Sequence, residues 1–156
     1  MPSSSDRGRP DVGPAGPVLP VLPVGLRASV RAAVTEADTA AAMGSGDVPV
    51  LATPRLLALA EAATVAAVEP QLAAGLTSVG TSVALEHRRA SPLGAEIDVE
   101  AELTEVDGPR LAFRFLARAA GPGQDAGPVI GSGSHERVIV DRSRFLARAA
   151  GRGDLS

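Results

Sequence analysis

Residues 53–72 read TPRLLALAEAATVAAVEPQL, and how this stretch must be packed decides the fold. Thr53 offers a hydroxyl as N-cap to a free backbone N–H of the first turn, and Pro54 suits the first helical position, where its missing N–H costs nothing. Alanines and leucines sustain the helix until Pro70, whose ring disfavours helical geometry at Glu69. Between Leu56 and Val68 the polar side chains are Glu61 and Thr64 alone. A surface helix keeps a broad polar face, so this one is expected to be covered on nearly every side. At about 100° per residue, Glu61 falls on the face of Leu57, Val65 and Val68. A carboxylate in that company is costly to desolvate unless something pairs with it or uses it. Glu61 is therefore the strongest pointer to function in the chain.

Upstream of the helix, Leu26, Ala28, Val30, Ala32 and Val34 alternate with Arg27, Ser29, Arg31 and Thr35, the pattern of a strand with one buried face. Residues 38–43 read as a helical turn capped by Asp38. Downstream the period returns to two. Residues 78–90 form a long strand ending in His87, Arg88 and Arg89, and residues 91–94 a turn. Residues 95–106 set Ile97, Val99, Ala101 and Leu103 against Glu96, Asp98, Glu100 and Glu102, so the acidic run is the solvent face of a strand. Asp107-Gly108 is the strongest hairpin signal. Return strands follow at 109–119 and 128–141 around a loose loop at 121–127, and a short helix capped by Asp141 or Ser143 closes the chain. The expected order is a strand, the buried helix, then four strands joined by hairpins. Such an α+β chain is satisfied by a long helix lying across a curved antiparallel sheet of about five strands. Neither layer has a second cover of its own, which points to a homodimer.

A length of 156 residues suits one domain with a real core. Prolines at 2, 10, 14, 17, 20 and 23 mark residues 1–23 as a disordered or extended tail, leaving a domain at 24–146 and a C-terminal tail at 147–156. The apolar stretch near Val18 is broken by prolines, unlike a signal peptide, and no apolar run reaches membrane-spanning length. A net charge of −3, no Trp or Tyr and 3 Phe argue against nucleic-acid binding, because both the basic surface and the stacking platforms are missing. With no cysteine there is no disulfide, thiolate ligand or thiol nucleophile, and a cytoplasmic location is the plain expectation.

Thr53-Pro54-x-Leu56 with Glu61, the 78–87 segment ending at His87, the Pro92-Leu93-Gly94 turn and the run from Gly131 to Arg137 together resemble the hotdog-fold thioesterases related to fluoroacetyl-CoA thioesterase. The resemblance spans roughly residues 25–145. It implies a hotdog fold, the helix being wrapped by a five-stranded sheet, and active sites at the interface of a homodimer. It implies a catalytic constellation of Thr53, Glu61 and His87, with Arg137 and Gly80 toward the substrate. It also implies acyl-CoA thioesters as substrates, cleaved by water with neither metal nor bound cofactor. One departure bears on specificity. The fluoroacetyl enzymes place a gating Phe shortly before the threonine, whereas this chain has no Phe before Phe113 and carries Met43 and Asp47 in that neighbourhood. The expected substrate is accordingly a short or medium acyl-CoA.

Each of these residues also has a plainer role. Glu61 can pair with an arginine across an interface, Thr53 can simply cap the helix, and a strand histidine such as His87 is often a satisfied core residue. His135 and Arg137 alternate to one face, so one of them is expected to line the pocket. The Gly131-Ser132-Gly133 run lacks the Lys-Ser/Thr and the following helix of a phosphate loop, and is read as allowing a bulge or a close backbone approach. Arg88, Arg89 and Arg110 are candidates for the CoA phosphates. Arg152-Gly153-Asp154 is a chance tripeptide. The reading from another functional class is a non-catalytic hotdog module that binds an acyl-CoA-like ligand or serves dimerisation. A dehydratase lacks support, since no Asp-x4-His signature is present.

Overall fold

The computed structural model describes residues 18–121 and 126–152. The expected tail up to residue 17, the middle of the 121–127 loop and residues 153–156 lie outside them. Five strands, β1 (Arg27–Ala33), β2 (Leu76–His87), β3 (Glu96–Asp107), β4 (Arg110–Ala120) and β5 (Ala126–Asp141), form one antiparallel sheet in the order β1-β3-β4-β5-β2. Helix α1 (Ala40–Met43) is a single turn, α2 (Thr53–Val68) the long helix, and α3 (Arg142–Ala149) the terminal one. Helix α2 crosses the sheet's inner face. Leu56, Leu59, Ala60 and Ala63 meet Ile97, Val99, Ala101, Phe115 and Ala117 in one half of the core, and Ala67 and Val68 meet Leu103, Leu111, Phe113 and Ile139 in the other. This is the expected α+β hotdog arrangement of one long helix on five strands.

The connections differ from the expected run of hairpins. β3–β4 and β4–β5 are hairpins, with Asp107 paired to Arg110 across Gly108-Pro109. β2 instead pairs with β5 at the far edge, and the chain must cross back to place β3 beside β1. The crossing segment passes the start of α2, where Leu51 N–H donates to the Ser91 carbonyl at 2.9 Å and Gly94 N–H to the Val34 carbonyl at 2.9 Å. Turn residues fix a change of direction, while the partner of each strand is chosen by which face can be buried.

Caps and boundaries shift by a residue or two. The N-cap of α2 is Ala52, not Thr53, so Thr53 is the first helical residue, and the helix ends at Val68 in a 3₁₀ turn, Glu69–Gln71. Thr39, rather than Asp38, caps α1, its hydroxyl accepting from Ala42 N–H at 3.2 Å. The cover over α2 is also less complete than expected. Leu57, Glu61 and Val65 are half-buried, and Ala58, Ala62 and Ala66 are exposed along one stripe. Packing begins upstream of the boundary drawn at residue 24, because Leu22, only 5% exposed, lies against Val68, Leu103 and Phe113, with Leu19 beside it. At the other end α3 extends past residue 146, capped by Asp141 as read from the sequence. No helix among the described residues is long and apolar enough to cross a membrane.

Candidate active site

Two irregularities in the sheet decide which side chains meet α2. On β2 the register slips between Gly80, opposite Arg137, and Ser82, opposite Glu136, leaving Thr81 as an extra residue. Strict alternation from Gly80 would turn His87 outward. The bulge reverses the parity, so Val83, Leu85 and His87 pair with His135, Gly133 and Gly131 and point to the helix side. The second slip, on β5, leaves out Ile130 between Val129 and Gly131, next to the glycine run read as permitting a bulge or a close approach. Both occur here, since a methyl group on Gly133 would run into the Ala84 carbonyl and the Phe115 ring.

The predicted site residues fall into two clusters. At the start of α2, Thr53 Oγ1 and His87 Nδ1 form a hydrogen bond of 2.9 Å. Asp38 fixes this end of the helix: its carbonyl accepts from Ala52 N–H at 2.8 Å and its carboxylate from Arg55 Nε at 2.9 Å. The Thr35 backbone N–H and hydroxyl, both 2.8 Å from the same carboxylate, hold Asp38 below the usual carboxylate range. The N–H groups of Arg55 and Leu56 already bind the Ala52 carbonyl and Pro54 has none. Thr53 thus supplies the remaining donors at this helix end. His87 Nε2 is buried and without a partner among the described residues, and burial pushes the imidazole pKa down, so the ring is neutral at pH 7. A cavity of about 280 Å³ opens here, lined by Thr53, His87, Arg88, Arg89, Asp47 and Val48. Of the three arginines considered for CoA phosphates, Arg88 and Arg89 reach this cavity. Arg110 does not; it lines a separate cavity with Glu105 and Asp107 and pairs with Glu136 at 3.3 Å, while Arg88 is itself paired with Glu86, Nε donating to Oε2 at 2.9 Å.

Further along α2, Glu61 Oε2 receives His135 Nε2 at 3.2 Å and Arg137 Nη1 at 3.3 Å. Arg137 is held in turn by Ser78, Nε donating to its hydroxyl at 2.8 Å and Nη2 to its carbonyl at 2.9 Å. Burial lowers the guanidinium pKa against the pull of Glu61, and the group stays cationic. Gly80 is the contact surface of this cluster. A Cβ there would lie 2.8 Å from Glu61 Oε2 and 3.1 Å from the His135 ring, so a side chain at this position would push the carboxylate aside. Glu61, expected to be buried, is 42% exposed at its side chain and therefore open on one side. Glu61, Gly80 and Arg137 are brought together, and Thr53 and His87 are brought together. The two groups stand apart, since the eight positions from Thr53 to Glu61 correspond to a helical rise of about 12 Å. From the sequence alone His135 is a strand residue with at most a pocket-lining role. Its place against Glu61 was readable only once Gly80 had been set beside both. Among the described residues no group of three or more His, Cys, Asp or Glu is placed to hold a metal ion.

Residues 34–143 match the sequence profile of the fluoroacetyl-CoA-specific thioesterases. The fluoroacetyl-CoA thioesterase of Streptantibioticus cattleyicolor is 38% identical over 99 residues, 64% of this chain and 67% of that protein. Among solved structures, a threonine-to-serine variant of a fluoroacetyl-CoA thioesterase in complex with acetyl-CoA superposes with a TM-score of 0.73 at 31% identity, over 85% of this chain and 100% of the other. A thioesterase superfamily member from Thermus thermophilus gives a TM-score of 0.75 at 27% identity, over 83% and 91% of the two chains.

Proposed function

The chain belongs to the fluoroacetyl-CoA-specific thioesterase family and is a thioester hydrolase, and from that premise we propose that it hydrolyses short or medium acyl-CoA thioesters with Thr53, Glu61 and His87. The observation that carries this reading is the 2.9 Å Thr53–His87 hydrogen bond at the mouth of a cavity, with His87 Nε2 left unpartnered. Thioester hydrolysis needs donors where the carbonyl oxygen becomes an oxyanion, a carboxylate to attack or to take the proton of water, and a group that returns a proton to the leaving thiolate. The Thr53 hydroxyl and N–H supply the first. A neutral His87 handles the proton. Glu61, open on one side, supplies the carboxylate.

Within one protomer these groups are too far apart to share a substrate, and a homodimer joined along β2 removes the gap. From Leu76 to Leu85 that edge strand carries neither charge nor proline, and residues 80–84 are all exposed. Such an edge is an invitation to pair. A twofold axis through this exposed run sets the His87 end of each strand beside residues 76–80 of the other. The Thr53–His87 pair of one subunit then faces the Glu61 cluster of its partner. The same contact covers the exposed stripe of α2. Arg89 and Arg88, the latter paired with Glu86, line the cavity and are the cations it offers to the phosphates of CoA.

Specificity follows from the missing gate. Met43 and Asp47, both exposed, stand ahead of Thr53, where the chain carries no aromatic residue. Discrimination by an aliphatic pocket is limited to about 1–3 kcal/mol per methylene, so a broad profile is expected. Measuring kcat/KM for acetyl-, fluoroacetyl-, butyryl- and phenylacetyl-CoA by thiol release tests this. Comparable values for the straight-chain substrates are expected, with Glu61→Gln losing at least about a hundredfold in kcat. No turnover of any acyl-CoA, with binding retained, would establish the non-catalytic module instead.

A further inference from the structure

His135 is a buried imidazole beside the site to which the proposed chemistry gives no task. It is 2% exposed, lies on the helix-facing side of β5 and is directed at the carboxylate of Glu61 through Nε2. Its other nitrogen, Nδ1, is buried and makes no hydrogen bond among the described residues. That asymmetry selects a tautomer. A proton on Nδ1 would be a buried donor with nothing to receive it, while a bare Nδ1 leaves only a lone pair unmet. The proton therefore sits on Nε2 and is donated to Glu61. Burial, opposed by the Glu61 carboxylate and reinforced by the Arg137 charge, lowers the imidazole pKa, which agrees with a neutral ring.

The two oxygens of Glu61 are consequently not equivalent. His135 Nε2–H and Arg137 Nη1–H both end on Oε2, and among the described residues no side chain or backbone N–H is bonded to Oε1. We propose that His135 is a positioning residue that, with Arg137, ties down Oε2 through a neutral N–H and leaves Oε1 as the oxygen that attacks the carbonyl or accepts the proton of water. This rests on Glu61 acting as the catalytic carboxylate. A neutral donor suits the task. It fixes the rotation of the carboxylate about its last bond without adding a second buried charge beside Arg137. Gly80 is part of the same device, since a Cβ there would crowd both the imidazole and Oε2 and shift the carboxylate from its present position.

The test compares His135→Leu and His135→Gln with Glu61→Gln, using the full chain and acetyl- and butyryl-CoA. Glutamine carries an amide N–H that reaches toward the carboxylate, whereas leucine fills the space without a donor. Loss of one hydrogen bond to a charged group corresponds to about a 10- to 100-fold change, expected here in kcat with KM altered less than threefold for His135→Leu. His135→Gln should recover most of that loss, and both variants should show native circular dichroism. Imidazole ¹⁵N shifts of the wild type should report a neutral ring protonated on Nε2 at pH 7. A folded His135→Leu enzyme with wild-type kcat would overturn the proposal, as would a charged or Nδ1-protonated ring. If Glu61→Gln is inactive while both His135 variants are fully active, His135 fails and Glu61 stands. If Glu61→Gln is itself fully active, the catalytic reading of Glu61 fails first and the role of His135 with it.

Discussion

At the scale of single residues, the chain's 2 histidines share one physical condition. Burial lowers the pKa of both His87 and His135 below the ordinary histidine value. In the unfolded chain both titrate near about 6.5. As the pH falls through that value, the unfolded state takes up protons that the folded state refuses, so folding stability declines. The decline stops below the depressed folded values, where both states are protonated. Asp38, Asp98 and Glu102, held below their usual range by hydrogen bonds to Thr35, Arg31 and Arg114, contribute stability that is lost only at more acidic pH. Urea denaturation at pH 7.5 and pH 5.5 should show lower stability at the acid end, and His135→Leu should show a smaller difference than the wild type. An unchanged pH slope in that variant would mean that His135 takes up its proton as readily when folded as when unfolded.

Elements show where packing departs from pattern. The proline-rich stretch before residue 24 has no periodicity, yet Leu22 is buried in the core cluster that holds Val68, Leu103 and Phe113. Leu22→Ala should therefore cost about 2–5 kcal/mol, the range for removing a buried leucine side chain. Exposed residues nearby, such as Val21, serve as the control and should change stability by less than about 0.5 kcal/mol when replaced by alanine. Thermal or urea melts decide it, and equal effects at the two positions would show that the segment is not docked. The outer face of the sheet behaves differently. Arg27, Arg31 and Arg114 pair with Glu96, Asp98, Glu100 and Glu102 across β1, β3 and β4, but these pairs are solvent-exposed and add little to stability.

At the scale of the whole molecule, β2 is one of the sheet's two edges, and residues 80–84 along it are exposed. If β2 pairs with its copy, a charge in the middle of that edge should split the dimer. Val83 is 42% exposed and lies in the run that would meet the twofold axis. Val83→Lys should give a particle near 15.7 kDa by light scattering, where the wild type should give twice that mass at micromolar concentration. Thioesterase activity should fall with the dimer, since the Glu61 cluster and the Thr53–His87 pair then no longer meet. A monomeric wild type with full activity would require both clusters to act within one chain.

How much of this was legible in the sequence follows from the range of the forces involved. The helix from Thr53 to Val68, the alternation of β1, β3 and β4, and the Asp107–Arg110 hairpin are local preferences repeated over many residues. Such preferences survive without knowledge of neighbours. The family resemblance carried Thr53, Glu61, His87, Gly80 and Arg137 as a set. It could not say that they divide into two clusters, because separation along α2 is a property of three-dimensional placement. The parity of His87 depended on one bulged residue, Thr81, which no hydropathy pattern marks. The strand order depended on which edge could be reached after crossing α2. Composition and periodicity thus determined a helix, a set of half-buried strands and a carboxylate out of place. Only the packed structure set the bare Cα of Gly80 beside His135 and that carboxylate, because contacts between residues 61, 80 and 135 exist only after long-range pairing has formed.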